Sequence, residues 1–142
     1  KSRFVEMFGD SQRQQNLPLG DVASRVKVAF VGTCAKYYTG IEDGVPMIRT
    51  TNITKHGLDL TDLKYVSRDF HERNKKSQLH DGDILISRFG SNGLSCIYHG
   101  AEANCLNAII IEPDYGKVNS VFLSELINSS FVMADSSLFS CL

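Results

Sequence analysis

The segment Asp81-Gly82-Asp83-Ile84-Leu85-Ile86-Ser87 constrains the fold more than any other. Three consecutive aliphatic residues released by an Asp-Gly-Asp turn are too few for a helix, and they predict a short buried strand. A second apolar run, Leu106 to Ile111, is closed by Pro113, and Leu94 to Tyr98 reads as a further strand. Upstream, Val26, Val28, Phe30 and Val31 predict a strand that runs into the loop Gly32-Thr33-Cys34-Ala35-Lys36-Tyr37-Tyr38. Asp43-Gly44 is a turn signal, Pro46 suits the first residue of a strand, and Met47 to Ile53 alternates well enough to form one. His56-Gly57 marks the next turn. Between Asp69 and Leu79 the residues read as a short polar helix, with Asp69 and Glu72 at capping-box spacing. Val121 to Ile127 reads as a second helix with Ser120 as its N-cap. No internal repeat and no regular strand-helix alternation is present, which excludes a doubly wound parallel sheet. The prediction is an α+β domain, a mixed or barrel-like sheet of short strands with a few small helices.

The 142 residues suit one ordinary domain, and 42% hydrophobic with 22% charged residues excludes a disordered chain. At the front, Phe4, Val5 and Phe8 fall at the spacing of the last turns of an amphipathic helix, which Gly9 ends. Residues 10–16 are polar and aperiodic, a linker, and the globular part opens at Leu17-Pro18-Leu19. No run approaches the ~18 apolar residues of a membrane span, and KSRFVEMFGD lacks the apolar region of a secretory signal. The chain starts without Met, so a fragment or a processed chain is expected. Cys34, Cys96, Cys105 and Cys141 are then expected as reduced thiols in a cytoplasm.

The net charge of -1 conceals an uneven distribution. Bases crowd the stretch from Arg25 to Arg88, whereas beyond His99 the only strong base is Lys117. Local potential rather than net charge governs attraction to phosphates, so such a stretch is compatible with nucleic acid. Interleaved Asp59, Asp62, Asp69 and Glu72 keep a solvated mixed-charge surface open as the plainer reading. Two segments carry side chains suited to base edges and phosphates. The run Ile84 to Ser87 delivers Arg88 to a loop holding Ser91 and Asn92 between Gly90 and Gly93, and Met47-Ile48 leads to Arg49, Thr50, Thr51 and Asn52. An ordinary turn and a polar strand edge are the corresponding structural alternatives, and the Gly90-Gly93 loop lacks the Gly-Lys-Ser/Thr ending of a P-loop.

Other chemistry is poorly supported. Cys96, His99 and Cys105 lack the paired spacing of a zinc site, and buried cysteines in strands account for them better. Cys34 or Cys96 with His71, His80 or His99 matches no nucleophile motif, and the four histidines sit among polar residues. Tyr37 and Tyr38 suit base stacking or loop anchoring equally.

Taken in order, SRFVEMFGD, LPLGDVA, GVPMIRTTNI, LKYVS, LHDGDILISRFGSNG, CLNAIIIEPD and FLSELINSS resemble the specificity subunit of type I restriction–modification systems, and within it one target-recognition domain. The resemblance covers nearly the whole chain. It implies that residues 1–9 end a conserved spacer helix, that 10–16 are the linker, and that 17–142 are a recognition domain incomplete at its C-terminus. It further implies a non-catalytic component that reads half of a split target in double-stranded DNA. Methyltransferase (M) subunits using S-adenosylmethionine, and ATP- and Mg-dependent restriction (R) subunits, would be its partners, with no cofactor on this chain. Carried onto this sequence, the DNA-facing candidates are Arg49, Thr50, Asn52, Arg88, Ser91 and Asn92, with Lys36, Tyr37, Tyr38 and Lys55 in neighbouring loops. No catalytic or metal-binding residue is implied. The family's further strands and second long helix are not found after Ile127, and the apolar tail (Phe131, Val132, Met133, Leu138, Phe139, Leu142) carries an expectation of self-association. The alternative is a truncated relative acting through protein contacts without reading DNA, and a distant third is a stand-alone thiol or metal enzyme.

Overall fold

The computed structural model describes residues 23–88 and 94–128. The expected helix end at 1–9, the linker at 10–16, the loop residues Ser91 and Asn92, and the tail with Cys141 lie outside them. The strand that the sequence marks most clearly, β7 (Ile84–Ser87), is buried along its whole length. It is third in a sheet, sheet A, ordered β1 (Ala23–Val28), β10 (Ala108–Pro113), β7 and β8 (Ser95–Ile97), with every neighbour antiparallel. Side chains alternate along a strand, so β7 serves two layers at once. Ile84 and Ile86 pack with Ile111, Val118, Leu123 and Ile127 under helix α2 (Ser120–Asn128), while Leu85 faces the opposite core with Ile110 and Cys96.

That second core is shared with sheet B, ordered β5 (Lys64–Ser67), β2 (Gly44–Arg49), β9 (Ala103–Leu106) and β6 (Gln78–Leu79). Here β2 and β9 run parallel and the outer pairs are antiparallel. Ile48, Ala103 and Cys105 point into the shared core. Val45, Met47 and Val66 point outward and are covered by Phe70 of helix α1 (Arg68–Arg73). The layers therefore run α2, sheet A, shared core, sheet B, α1, an α+β architecture with mixed sheets of short strands. A hairpin of β3 (Ile53–Thr54) and β4 (Gly57–Leu58) adds Ile53 and Leu58 to the shared core beside β8. At the β8 edge, the Asn128 side chain accepts from Ser95 N at 2.7 Å and donates to Ser95 O at 3.0 Å, which satisfies backbone groups that an edge strand would otherwise expose. Each fully buried Ile or Leu in these layers contributes about 1.5–3 kcal/mol of transfer free energy.

Several predicted boundaries move. The strand expected over 47–53 ends at Arg49, because the Arg49 N–H turns to Asn52 Oδ1 (2.9 Å) and residues Thr50–Asn52 form a 3-10 turn. Pro46 is the third residue of β2, directly before the first residue paired with β9, and so removes no bond from that parallel ladder. The polar helix expected over 69–79 is α1, a 3-10 turn at Lys75–Ser77, and β6. Its cap is Ser67, whose Oγ accepts from Phe70 N at 3.2 Å, and not the Asp69–Glu72 pair. Asn119 rather than Ser120 caps α2, accepting from Phe122 N at 2.7 Å. Ser120 Oγ instead donates to Gly82 O at 2.8 Å and ties the helix to the turn before β7. The loop expected at Lys36 and Tyr37 is a 3-10 turn, Ala35–Tyr37.

The run read as one strand, Leu106 to Ile111, is split between the two sheets. Leu106 ends β9 in sheet B and Ala108 begins β10 in sheet A, with Asn107 alone between them at φ 58°. Asn is among the few residues that tolerate the left-handed region. Asn107 N donates to Phe30 O (2.8 Å), and Asn107 Oδ1 accepts from Gly32 N (3.4 Å), so the crossover also anchors the chain leaving β1. Replacing Asn107 by Ala is expected to cost about 1–2 kcal/mol for the left-handed backbone, and Asn107→Gly less. Urea unfolding of both variants checks this. An Ala variant as stable as the Gly one would remove the backbone argument.

Candidate functional site

Strand register gathers the sequence-marked residues at one end of the sheets. Arg49 lies opposite Leu106, the chain crosses at Asn107, and Ala108 lies opposite Ser87. Arg49 and the exposed Arg88 therefore emerge at the same end, on either side of the Asn107 crossover. Ser87 N donates to Leu94 O at 3.0 Å, which ties the end of β7 to the residue before β8.

The members of this group differ in what is left for a ligand. Asn52 is only 3% exposed. Its Oδ1 takes the Arg49 N–H, its Nδ2 donates to Asp59 O at 2.8 Å, and its carbonyl accepts from Asp59 N at 2.7 Å. It builds the turn that presents its neighbours. Thr50 is half-buried and Thr51 exposed on that turn. Arg49 is held at both ends: its backbone by Asn52, and its guanidinium by the carbonyl and carboxylate of Asp62, with Nη2 2.9 Å from Oδ2. Arg49 Nε is buried without a partner. Lys64 Nζ lies 2.9 Å from the other oxygen of the same carboxylate, and the two cations hold the Asp62 carboxyl below its usual range, Lys64 contributing most. Sequence does not single out Asp62 or Lys64. Lys64 is there one base among many, and only the fold shows that it faces Arg49.

The second group of candidates lies to the side. Phe30 bridges to Leu106 of β9 and Tyr38 to Val66 of β5, so the segment between them crosses the outer face of sheet B. Phe30, Cys34 and Tyr37 fix it there against Phe70, with ring centroids 5.1 Å (Phe30) and 4.8 Å (Tyr37) from the Phe70 ring. Lys36 stays exposed, with Nζ 5.0 Å from the centre of the Tyr37 ring. Burial, and then the Cys34 sulfur 3.6 Å away, push the Tyr38 phenol up. Lys55 is on the tip of the β3–β4 hairpin, where with His56 it lines a cleft of about 270 Å³ against β8 and α2, away from Arg49.

The basic stretch does not form one face. Arg25 and Lys27 reach Glu112 (3.5 and 3.3 Å), Arg68 reaches Glu102 (2.7 Å), and Arg73 pairs with Asp69. At the end of the sheets away from Arg49, the side chains of His80, Asp83 and Glu112 place one donor atom each within 4.8 Å of one another. Lys27 and Arg25 already set two positive charges against the two carboxylates, so a divalent ion would meet no net negative charge there. Of the histidines, His71 is buried among polar partners, with Nδ1 3.0 Å from Asn104 Nδ2 and Nε2 3.4 Å from Glu102. With Asn104 donating, the proton sits on Nε2 and faces the carboxylate. Cys96 and Cys105 are buried in β8 and β9, and burial pushes both thiols up to about 12, far from the range of a nucleophile at neutral pH.

Asp83 offers a check on these electrostatics. Burial raises its carboxyl above the ordinary value, with the Glu112 charge adding to the effect. A raised folded value means that the native state holds this proton more tightly than the unfolded chain. The Asp83 contribution to stability therefore falls as pH rises from the ordinary carboxylate value through the raised one. Asp83→Asn keeps an acceptor for His80 N, which in the parent donates to Oδ2 at 2.9 Å. It is expected to be more stable than the parent at pH 7, with the gain vanishing below the ordinary carboxylate range. Thermal melts across pH would contradict this if the two curves stayed parallel.

No protein-family profile matches the chain. Over 91 residues it is 28% identical to the type I restriction enzyme EcoBI specificity subunit of Escherichia coli. The match covers 63% of this chain and 19% of that subunit, so the chain spans a small part of the length of its relative. No described helix is long and apolar enough to cross a membrane.

Proposed function

We propose that this chain is a non-catalytic DNA-recognition module of a type I restriction–modification system. The end of the sheets that carries Arg49, Thr50 and Arg88 would lie against one half of a split duplex target. The observation that carries the reading is the register around Asn107. It brings the ends of β2 and β7, far apart in sequence, to one place in the fold of a chain similar to a specificity subunit. Side chains at that end suit contact with a duplex, since a guanidinium can pair with guanine edges or phosphate and hydroxyls with either. Burial of Cys96 and Cys105, each with its thiol raised to about 12, weighs against the thiol-enzyme alternative.

In this reading the chain holds no cofactor. S-adenosylmethionine, ATP and Mg belong to methyltransferase and restriction subunits that the module directs, in the cytoplasm of the cell. Arg88 and Thr50 are the candidates for direct contact with bases, together with Ser91 and Asn92, which lie outside the described residues. Asn52 supports the turn and is assigned no contact of its own. Lys36, Tyr37 and Lys55 lie on flanks, where a bent or wrapped duplex would be needed to reach them, whereas the Tyr38 phenol borders Arg49 and Asp62.

Selection from a randomised duplex pool, with and without a methyltransferase subunit, tests the proposal. Enrichment of a short half-site is expected, and Arg88→Ala should weaken binding to it by about 1–3 kcal/mol and relax preference at one position. If no sequence is enriched even with the partner present, the reading falls, and a relative acting through protein contacts takes its place.

A further inference from the structure

Two cations on neighbouring strands converge on one carboxylate beside the proposed reading end. Arg49 Nη2 lies 2.9 Å from Asp62 Oδ2, and Lys64 Nζ lies 2.9 Å from Asp62 Oδ1. Exposure rises toward the anion: 21% for the Arg49 side chain, 41% for Lys64 and 69% for Asp62. The cations thus form the back of the arrangement and the carboxylate stands in front of them. Both cations are fixed by the fold. Arg49 ends β2 with its N–H on Asn52, and Lys64 opens β5 opposite Met47, two residues before Arg49 and on the same face of β2. The Tyr38 phenol lies close enough to feel both Arg49 and Asp62. A carboxylate with a cation on each oxygen has the pattern that the two non-bridging oxygens of a phosphodiester present.

We propose that Arg49 and Lys64 form a phosphate-binding site that Asp62 occupies as an internal anion until a backbone phosphate displaces it. The ligand assignment rests on the DNA-recognition reading given above. Replacing the internal anion costs little on the Lys64 side, because an ion pair between exposed side chains is weak and screened by salt. The half-buried Arg49 exchanges one anion for another. A duplex phosphate arrives with the field of the whole polyanion and releases counterions on contact, which a free phosphate does not. The exchange therefore favours nucleic acid over inorganic phosphate. It also narrows Arg49, which the sequence leaves suited to base edges or phosphate, to a backbone anchor, leaving Arg88 and Thr50 as the readers. Such an anchor fixes the register of the module on the duplex without reading sequence.

The test is fluorescence anisotropy on a duplex of scrambled sequence at several salt concentrations, using the full chain, Asp62→Asn and Lys64→Ala. Inorganic phosphate serves as a competitor, and circular dichroism verifies folding of each variant. Asp62→Asn keeps the carbonyl that receives Arg49 and removes only the internal charge. It is expected to tighten scrambled-duplex binding by about three- to tenfold. Lys64→Ala should weaken binding and flatten the slope of log K against log salt by about one. Inorganic phosphate at equal concentration should compete far less well than the scrambled duplex. Unchanged or weaker binding by Asp62→Asn, an unchanged slope for Lys64→Ala, or no duplex binding by any form overturns the inference. Selection of a half-site by the parent chain, with both variants unaffected, would leave the recognition reading standing and remove the phosphate site. Shifts in both variants without any enriched sequence would do the reverse.

Discussion

One residue, Asn107, turns the chain from sheet B into sheet A without an intervening loop, and the relation between the two sheets follows from it. Leu106 still belongs to the outer cluster under α1, while Ala108 already lies in the shared core. A loop of several residues would let the sheets slide against one another. A single residue in the left-handed region, with its N–H on Phe30 O, does not. The same contact holds the start of the segment that crosses sheet B toward Tyr38. Strand ends from distant places in the sequence are thereby held in a fixed relation at one end of the molecule, a rigidity that would suit the proposed contact with a duplex.

Polar residues at that end divide between building the surface and facing outward from it. Asn52 and Asn107 both use side-chain oxygens to accept from backbone N–H groups, those of Arg49 and Gly32. A buried N–H without such a partner costs about 1–3 kcal/mol, so exchanging Asn52, which serves the part-buried Arg49 N–H, for an apolar residue would disturb the frame before it touched any ligand. Thr50 and Thr51 carry less of this structural duty, and in the proposed reading they would be left for the ligand. Residue type alone does not separate the classes. Asn52 and Asn92 look equally suited to an adenine edge in the sequence, yet Asn52 is occupied within the fold by a segment seven residues away.

Legibility in the sequence ends at the same place. The buried strand Ile84–Ser87 is readable because both of its faces are covered, which leaves a run of aliphatics with no polar interruption. The end of β2 is not readable. Thr50 and Thr51 have strand propensity, and the decision to turn is made by Asn52 capturing the Arg49 N–H, a contact that no periodicity records. The start of α1 is ambiguous in sequence because Ser67 and Asp69 are both good caps, and the extended φ/ψ of Ser67 at the end of β5 settles the competition. For the crossover a signal exists, since Asn107 interrupts an otherwise apolar run, but the hydrophobic residues on either side of it mask it. Arg49 and Arg88 are legible as candidates, but their common location follows only from pairings of β9 and β10 that join residues more than twenty positions apart.

Charge follows the same logic of pairing rather than composition. The base-rich stretch suggests a basic face, but several of its members are matched by carboxylates: Glu112 for Arg25 and Lys27 and Glu102 for Arg68, both from beyond the stretch, and the neighbouring Asp69 for Arg73. At one end, Arg49 and Lys64 share the single Asp62 charge, and Arg88 stands exposed on the other side of the crossover. At the other end, Asp81, Asp83 and Glu112 gather around His80 and Tyr115, with Arg25 and Lys27 beside them. Cations and carboxylates therefore meet at both ends, and attraction to a polyanion would depend on local partners rather than on the sum of charge. In the proposed DNA-recognition reading, the Arg49–Lys64 pair would supply local phosphate contacts, weak enough that base contacts decide where the module stays.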